Sequence, residues 1–297
     1  MDRRSFLAAC CAGVAASSTL WADTSSKKLI LKKAVKYDMI GIKGTVADKL
    51  NLVKKLGFQG VEINSPSNLD LDEVNKAIRE TGVVVHGVID SVHWTQPLSS
   101  PDDKVRAKGL AALRTALSDA QKVGADTVLL VPGVVNKEVT YEQCWERSTA
   151  EVKKALADAE KAGVKIAIET VWNNFLTKPE QLIEYVDQFR SPWVGAYFDI
   201  SNMLKYGVPA ETWIRKLGKR LLKFDFKAYS LDKAKKTGNE WDGFKVEIGE
   251  GSENWPEVLK ALAEIGYNGW ATAEVGGGGE KRLADISARM DKVLGLK

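Results

Sequence analysis

The chain has 297 residues, 44% of them hydrophobic and 28% charged, and 43 basic against 39 acidic side chains leave a net charge of +4. That is enough apolar material for a sizeable core. The small basic excess comes without a dense Lys/Arg block, which argues against a nucleic-acid partner, and beyond residue 22 no stretch is long and apolar enough to span a bilayer.

Residues 1–22, MDRRSFLAACCAGVAASSTLWA, place Arg3 and Arg4 before Phe6, Leu7 and a short apolar run that ends at Ala22. This pattern predicts a twin-arginine export signal cleaved near Ala22, a periplasmic destination, and the twin-arginine machinery as a transient partner. The apolar run is too short and too rich in Ala and Ser for a stable membrane anchor. LAAC, at Leu7 to Cys10, stands too close to the arginines to serve as a lipoprotein box. Of the three cysteines, Cys10 and Cys11 fall in the leader and only Cys144 remains, so no intrachain disulfide is possible in the mature chain. Folding before export is the expected order. Residues 23–30 read as a polar linker and 31–297 as a single domain.

Apolar and amphipathic runs then alternate. Residues 34–42 (AVKYDMIGI) read as a first strand. A helix follows over 45–57, with Thr45 as cap and Gly57 as stop. GVEIN (60–64) is a second strand, followed by a helix near 71–81, and VVVHGVI (83–89) a third. A long loop leads to a helix with Leu110, Leu113, Leu117 and Ala120 on one face. DTVLLVPG (126–133) is a fourth strand and 141–162 a long helix. VKIAIE (164–169) is a fifth strand. The next helix opens with Thr177 as cap, Pro179 in the first turn and Glu180 at the capping-box position. VGAYFD (194–199), LLKFDFKAY (221–229) and GWATAE (269–274) are strands six to eight, with helices at 209–218, 255–266 and 280–295. DKAKKTG (232–238) reads as a solvated loop, and GEGSENW and GGGG as candidate lid segments.

Eight strands alternating with eight helices imply a parallel sheet whose strands are covered on both faces. About 250 residues is the size of a closed (β/α)₈ TIM barrel, which is the predicted fold. An open doubly wound sheet is the alternative, but no G-x-G-x-x-G joins a strand to a helix.

In such a barrel the chemistry gathers at the C-terminal ends of the strands. There stand Glu62 on strand two, His86 on strand three, and Glu169, Asp199, Asp225 and Glu274 on strands five to eight. One carboxylate after a strand is ordinarily a solvated loop residue. Four on consecutive strands converge, and they cannot all ionise in a small volume without a cation or protons. One divalent metal is the simplest neutraliser. An all-oxygen set favours Mn or Mg over Zn, which prefers His and Cys.

The segments GVEIN, IAIETVWNNF, GAYFDISNMLKYG, LGKRLLKFDFKAY, EIGEGSENWPEVLKALAEIGYNGWATAE and RLADISARMDKVL resemble the sugar phosphate isomerase/epimerase family of xylose isomerase-like TIM barrels. The resemblance spans essentially all of the chain after the leader, and 247–274 is its most specific part. It implies a divalent metal held by acidic residues and a histidine. By position Glu169, Asp199 and Glu274 match the acidic ligands. Asp225 stands where the family has the His of His-x-Lys-Asp, here Asp225-Phe226-Lys227-Ala228, and Asn202 where many relatives have a second His. Metal identity and metal dependence therefore stay open. The resemblance also implies Glu169 and Glu274 as an acid–base pair acting next to a metal-polarised carbonyl. Lys227 either steadies an enolate oxygen or pairs with Asp225. His86 and His93, the only histidines, together with Glu62, Asn202 and Trp172, are candidate substrate contacts. Trp172, like Trp94 and Trp241, offers a face on which a sugar ring can stack.

The expected activity is a metal-dependent isomerase or epimerase. Its substrate is a small-molecule ketose or keto-sugar, unphosphorylated because an exported enzyme rarely meets sugar phosphates and no arginine clamp is visible. The alternative is a 3-keto-glycoside lyase working by β-elimination through the same enolate, and below it a non-catalytic sugar-binding barrel. A repair-nuclease reading fails for want of the histidines that a trinuclear zinc site needs.

Overall fold

The computed structural model describes residues 29–296, so the expected export signal and most of the expected linker lie outside the described residues. Eight parallel strands close into one barrel in chain order. They are β1 (Ile30–Lys36), β2 (Gly60–Ser65), β3 (Val84–Asp90), β4 (Thr127–Leu130), β5 (Lys165–Glu169), β6 (Val194–Asp199), β7 (Leu221–Phe226) and β8 (Asn268–Ala273). Closure is made by β1 on β8, in register from Ile30↔Asn268 to Val35↔Ala273. Outside them run α1 (Val46–Lys55), α2 (Leu71–Thr81), α3 (Asp103–Val123), α4 (Tyr141–Ala162), α5 (Pro179–Asp187), α6 (Ala210–Leu217), α7 (Leu231–Thr237), α8 (Trp255–Glu264) and α9 (Glu280–Leu294). No described helix is long and apolar enough to cross a membrane.

Three local expectations need correction. The first strand begins at Ile30 and ends at Lys36, where the chain turns into a 3₁₀ segment, Tyr37–Met39. Its lysines disguise it. Lys33 and Lys36 are both buried, each beside an acid; Lys33 Nζ lies 2.6 Å from Asp291 Oδ1 on α9, outside the barrel wall, and Lys36 turns into the lumen. The helix α5 is not capped by Thr177. Gln181 Oε1 accepts the N–H groups of Thr177 (2.9 Å) and Lys178 (3.0 Å), so the reciprocal bond comes from Gln181 rather than Glu180. The DKAKKTG run is helix α7: Ser230 Oγ accepts the Lys233 N–H, and Gly238 closes the helix in the left-handed region at φ 70°.

Strand alternation sorts the side chains into two layers. Outward residues meet the helices. Phe198 stacks on Trp213 of α6 at 5.3 Å, and Phe226 packs edge-on against Trp255 of α8 at 4.9 Å. Long α4 is held at its start by a Thr140/Gln143 capping box and stopped by Gly163 at φ 67°. Inward residues build a small apolar plug of Leu129, Ala167 and Tyr197, with Ile89 and Leu222 against it. The rest of the lumen is polar. On its floor Lys223 Nζ donates to the His86 carbonyl, to Asp126 Oδ1 at 2.5 Å and to Thr127 Oγ1 at 2.7 Å.

The two glycine-rich candidate lids are tied down. Gly41 N–H donates to the Gly278 carbonyl (2.9 Å) and Gly278 N–H to the Met39 carbonyl (3.0 Å), so the loop after β8 is sewn to the loop after β1. A Cβ on Gly277 would lie 2.1 Å from the Met39 carbonyl oxygen, which is why that close approach takes glycine. In the other segment Ser252 N–H donates to the Tyr229 carbonyl at 2.8 Å, and Glu253 Oε1 accepts the Tyr229 N–H at 2.8 Å.

Candidate active site

The C-terminal mouth of the barrel holds a cavity of about 730 Å³, with Lys36, Asp90, Glu169, Lys227 and Glu274 on its wall. Each sits where a strand meets its loop. Glu169 is the last residue of β5, and Glu274 follows β8 directly. Asp199 ends β6, and the register sets it opposite Asp225 of β7.

Glu169, Asp225 and Glu274 each offer an oxygen within 4.8 Å of the other two. Around them two ammoniums are threaded. Lys36 Nζ is 2.5 Å from Glu62 Oε2 and 2.5 Å from Asp225 Oδ2. Lys227 Nζ is 2.5 Å from Asp199 Oδ2 and 2.9 Å from Glu274 Oε2. The Tyr197 hydroxyl lies 2.7 Å from Asp225 Oδ1 and 2.8 Å from Glu62 Oε1. It has one proton to donate, so the second contact is a hydrogen bond only when that carboxyl is itself protonated. Asp199 Oδ1 accepts the Asn202 N–H at 2.7 Å.

Five carboxylates, Glu62, Glu169, Asp199, Asp225 and Glu274, thus face two lysines. Burial and the neighbouring charges show in the titration of Glu169, Asp199, Asp225 and Glu274. Burial, then Glu274, pushes Glu169 well above the usual carboxylate range. Burial also raises Asp225 well above it, against the pull of Lys36, and raises Asp199 against Lys227. Burial works on Glu274 too, but Lys227 and Lys36 outweigh it and hold that carboxyl down at about 2. Glu169 therefore keeps a proton under conditions in which Glu274 is ionised. Both lysines are held charged: burial opposes it, but Asp225 and Glu62 outweigh burial at Lys36, and Asp199 and Glu274 do so at Lys227.

The donor set fits a hard divalent cation. It is all carboxylate oxygen. Buried Asp225 Oδ2 accepts no hydrogen bond of good geometry, although the Lys36 ammonium is near.

The other expected site residues fall at different depths. His93, Trp172, Asn202 and Lys227 line the cavity with Glu169 and Glu274. Asp199 stands outside the three-carboxylate group, on Lys227, and that lysine pairs with Asp199 and Glu274 rather than with Asp225. Glu62 and His86 lie below the cavity wall, fully inside the barrel. The His86 ring stacks on Trp270 (4.4 Å between centroids, 12° between planes), its Nε2 is 3.3 Å from Thr272 Oγ1, and burial drives its pKa well below the ordinary value. That is a neutral core histidine out of reach of a ligand in the cavity. His93 is also held neutral, pushed down to about 4 by burial, and accepts the Val131 N–H at Nδ1 (3.4 Å). Trp172 Nε1 donates to the Asn202 carbonyl (2.6 Å), Lys205 Nζ sits 4.1 Å from the ring centroid, and Trp241 packs at 4.5 Å.

Sequence reasoning missed Lys36, Tyr197 and Asp90. Lys36 was hidden by running β1 on to residue 42. Tyr197 stands two before Asp199 and so shares its inward face, a signal that strand alternation carries. Asp90 is the true last residue of β3. It is buried on the cavity wall and accepts the Val92 N–H (3.1 Å), and burial raises its pKa to about 7.

A model of the xylose isomerase-like TIM barrel family matches residues 50–292. L-ribulose-5-phosphate 3-epimerase UlaE of Escherichia coli O1:K1 / APEC is 32% identical over 167 residues, which cover 52% of this chain and 59% of that relative. Among solved structures, D-psicose 3-epimerase with D-tagatose from Clostridium cellulolyticum H10 superposes with a TM-score of 0.73 at 23% identity, covering 89% of this chain and 99% of the other. The apo form of 3-keto-D-glucoside 4-epimerase YcjR from E. coli does so with a TM-score of 0.73 at 14% identity, covering 89% and 98%.

Proposed function

The chain belongs to the xylose isomerase-like TIM barrel family, and on that footing we propose that it is a sugar epimerase or isomerase that moves a proton next to the carbonyl of an unphosphorylated ketose or keto-sugar. The observation that carries this reading is the pair of carboxylates on the cavity wall, Glu169 and Glu274, with oxygens within 4.8 Å of each other, on strands three positions apart around the barrel. Glu274 is suited to take a proton from the carbon beside the carbonyl, leaving its electron pair as an enolate. Glu169 is suited to give one back, to the other face or the neighbouring carbon. Lys227, beside Glu274, presents a fixed positive charge where the enolate oxygen gathers negative charge. A divalent ion on Glu169, Asp225 and Glu274, Mn or Mg before Zn, would supply polarisation of the carbonyl and its adjacent hydroxyl.

The relatives named as epimerases support the reaction class. An unphosphorylated substrate is supported by Asp38 on the cavity wall, which would repel a phosphate, and by lysines already committed to carboxylates. It is supported too by the paired arginines of the leader, on which we read the enzyme as exported to the periplasm.

A second reading, a 3-keto-glycoside lyase, is favoured by one feature. Trp94 (50% exposed) and Trp241 (65% exposed) both border the cavity. They follow β3 and β7, four positions apart in a ring of eight, which would leave room for an aglycone between two aromatic faces.

Deuterium wash-in separates the two. Mature protein with Mn²⁺ in D₂O would be given ketoses and 3-keto-glucosides and followed by NMR. Deuterium in an intact isomeric sugar is expected. Release of the aglycone would mean the lyase. Exchange that persists in both Glu169→Gln and Glu274→Gln would overturn the acid–base pair.

A further inference from the structure

We propose that Lys36 is a built-in competitor for the metal, and that Glu62 sets the metal affinity by competing with Asp225 for Lys36. This rests on the reading of Glu169, Asp225 and Glu274 as metal ligands.

The geometry is that of one ammonium between two anions. Lys36 ends β1, its neighbour in register on β2 is Glu62, and its Nζ stands at 2.5 Å from both Glu62 Oε2 and Asp225 Oδ2. The Tyr197 ring lies beneath it, with Nζ 5.3 Å from the ring centroid, so the ammonium has an aromatic floor and two carboxylate walls. Asp225 has little left to offer. Its Oδ1 takes the Tyr197 hydroxyl at 2.7 Å, and its Oδ2 faces Lys36. Glu169 and Glu274 make no direct ion pair with Lys36. Two of the three candidate ligands therefore feel that lysine only through its field, and the third is in contact with it.

Like charges do not share one carboxylate cheaply in a buried site. A divalent ion on Asp225 and an ammonium 2.5 Å from the same carboxylate oppose each other, so metal entry favours Lys36 moving wholly onto Glu62. Glu62 is ready to receive it, already in contact and buried to 1% exposure. Opposite consequences follow for the two residues. Taking away the ammonium frees Asp225 and tightens metal binding. Taking away the Glu62 charge leaves Lys36 with Asp225 as its one anionic contact and weakens it. A purely structural role for either residue would move both affinities the same way, through damage to the fold.

Isothermal titration of the chelator-stripped full chain with MnCl₂ tests this. A Lys36→Met/Glu62→Gln double variant leaves no unpaired charge at these two positions. It should bind Mn²⁺ on the order of tenfold tighter than the wild type, and Glu62→Gln alone on the order of tenfold more weakly, the scale expected when groups around a metal's ligands are altered. Lys36→Arg, which keeps the charge, should stay near the wild type. Glu169→Gln should lose the binding heat, which ties the signal to this site. Equal affinity in the wild type, the double variant and Glu62→Gln would overturn the role of Lys36 and leave the metal reading standing. No Mn²⁺ binding by any folded variant would overturn both. Should the double variant fail to fold, Glu62→Gln and Lys36→Arg still decide the matter by their difference.

Discussion

The two faces of the same strands follow different physical rules. On β6 and β7 the outward positions are Ala196, Phe198, Phe224 and Phe226, all in the main apolar core, while the inward positions are Tyr197, Asp199, Lys223 and Asp225. A buried phenylalanine contributes about 2–3 kcal/mol by leaving water, whatever apolar neighbour it meets. A buried carboxylate costs several kcal/mol unless a particular partner stands at hydrogen-bonding distance. The outer layer is thus tolerant and stabilising, and the inner layer is exacting and carries stability costs that the outer layer offsets. One strand serves both because its side chains alternate.

The largest expected effect tests the inner face. Glu169→Gln should lower turnover by about 10²–10⁴-fold with thermal stability held or raised, since it removes a buried carboxyl crowded by Glu274. A variant that stays active would erase the functional side of the contrast. The outer face should answer in the opposite sense. Phe198→Ala should lose roughly 3–5 kcal/mol in denaturant unfolding while each folded molecule keeps its turnover; loss of activity without loss of stability would show the layers to be coupled.

Asp90 sharpens the contrast through pH. Its folded pKa of about 7 lies above the unfolded value of about 4, so its contribution is fully present at low pH and is lost as pH rises from about 4 through 7. Asp90→Asn should remove that slope, its melting temperature gaining on the wild type between pH 5 and pH 8; parallel curves would contradict a carboxyl destabilised by burial. The smallest effect belongs to the periphery. Thr140→Ala, which deletes the α4 cap, should cost about 1 kcal/mol and leave turnover unchanged, as denaturation and steady-state rates would reveal together.

Legibility divides along the same line. Seven of the strands were readable because their outward faces make apolar runs, and β1 was misplaced because three of its seven residues, ILKKAVK, are lysines. Glu169, Asp199, Asp225 and Glu274 were readable because each closes an apolar run. The partners were not. That Lys36 meets Glu62 and Asp225 depends on strands one, two and seven being brought round to a common height, which no local pattern encodes. Nor does a sequence tell how deep in the lumen a strand residue lies. His86 and Asp90 share β3, yet four residues separate a stacked core histidine from a carboxylate on the cavity wall.

The β1–β8 seam has a consequence in time. The Ile30 N–H is satisfied by Asn268 Oδ1, 238 positions later in the chain, and the glycine stitch between the loops after β1 and β8 is as distant. While the chain is being synthesised, the first strand has only one of its two neighbours until nearly the whole sequence has emerged. Closing contacts of such long range are slow to form. The lumen, with its carboxylates and lysines, can be shut from water only at the end of that wait.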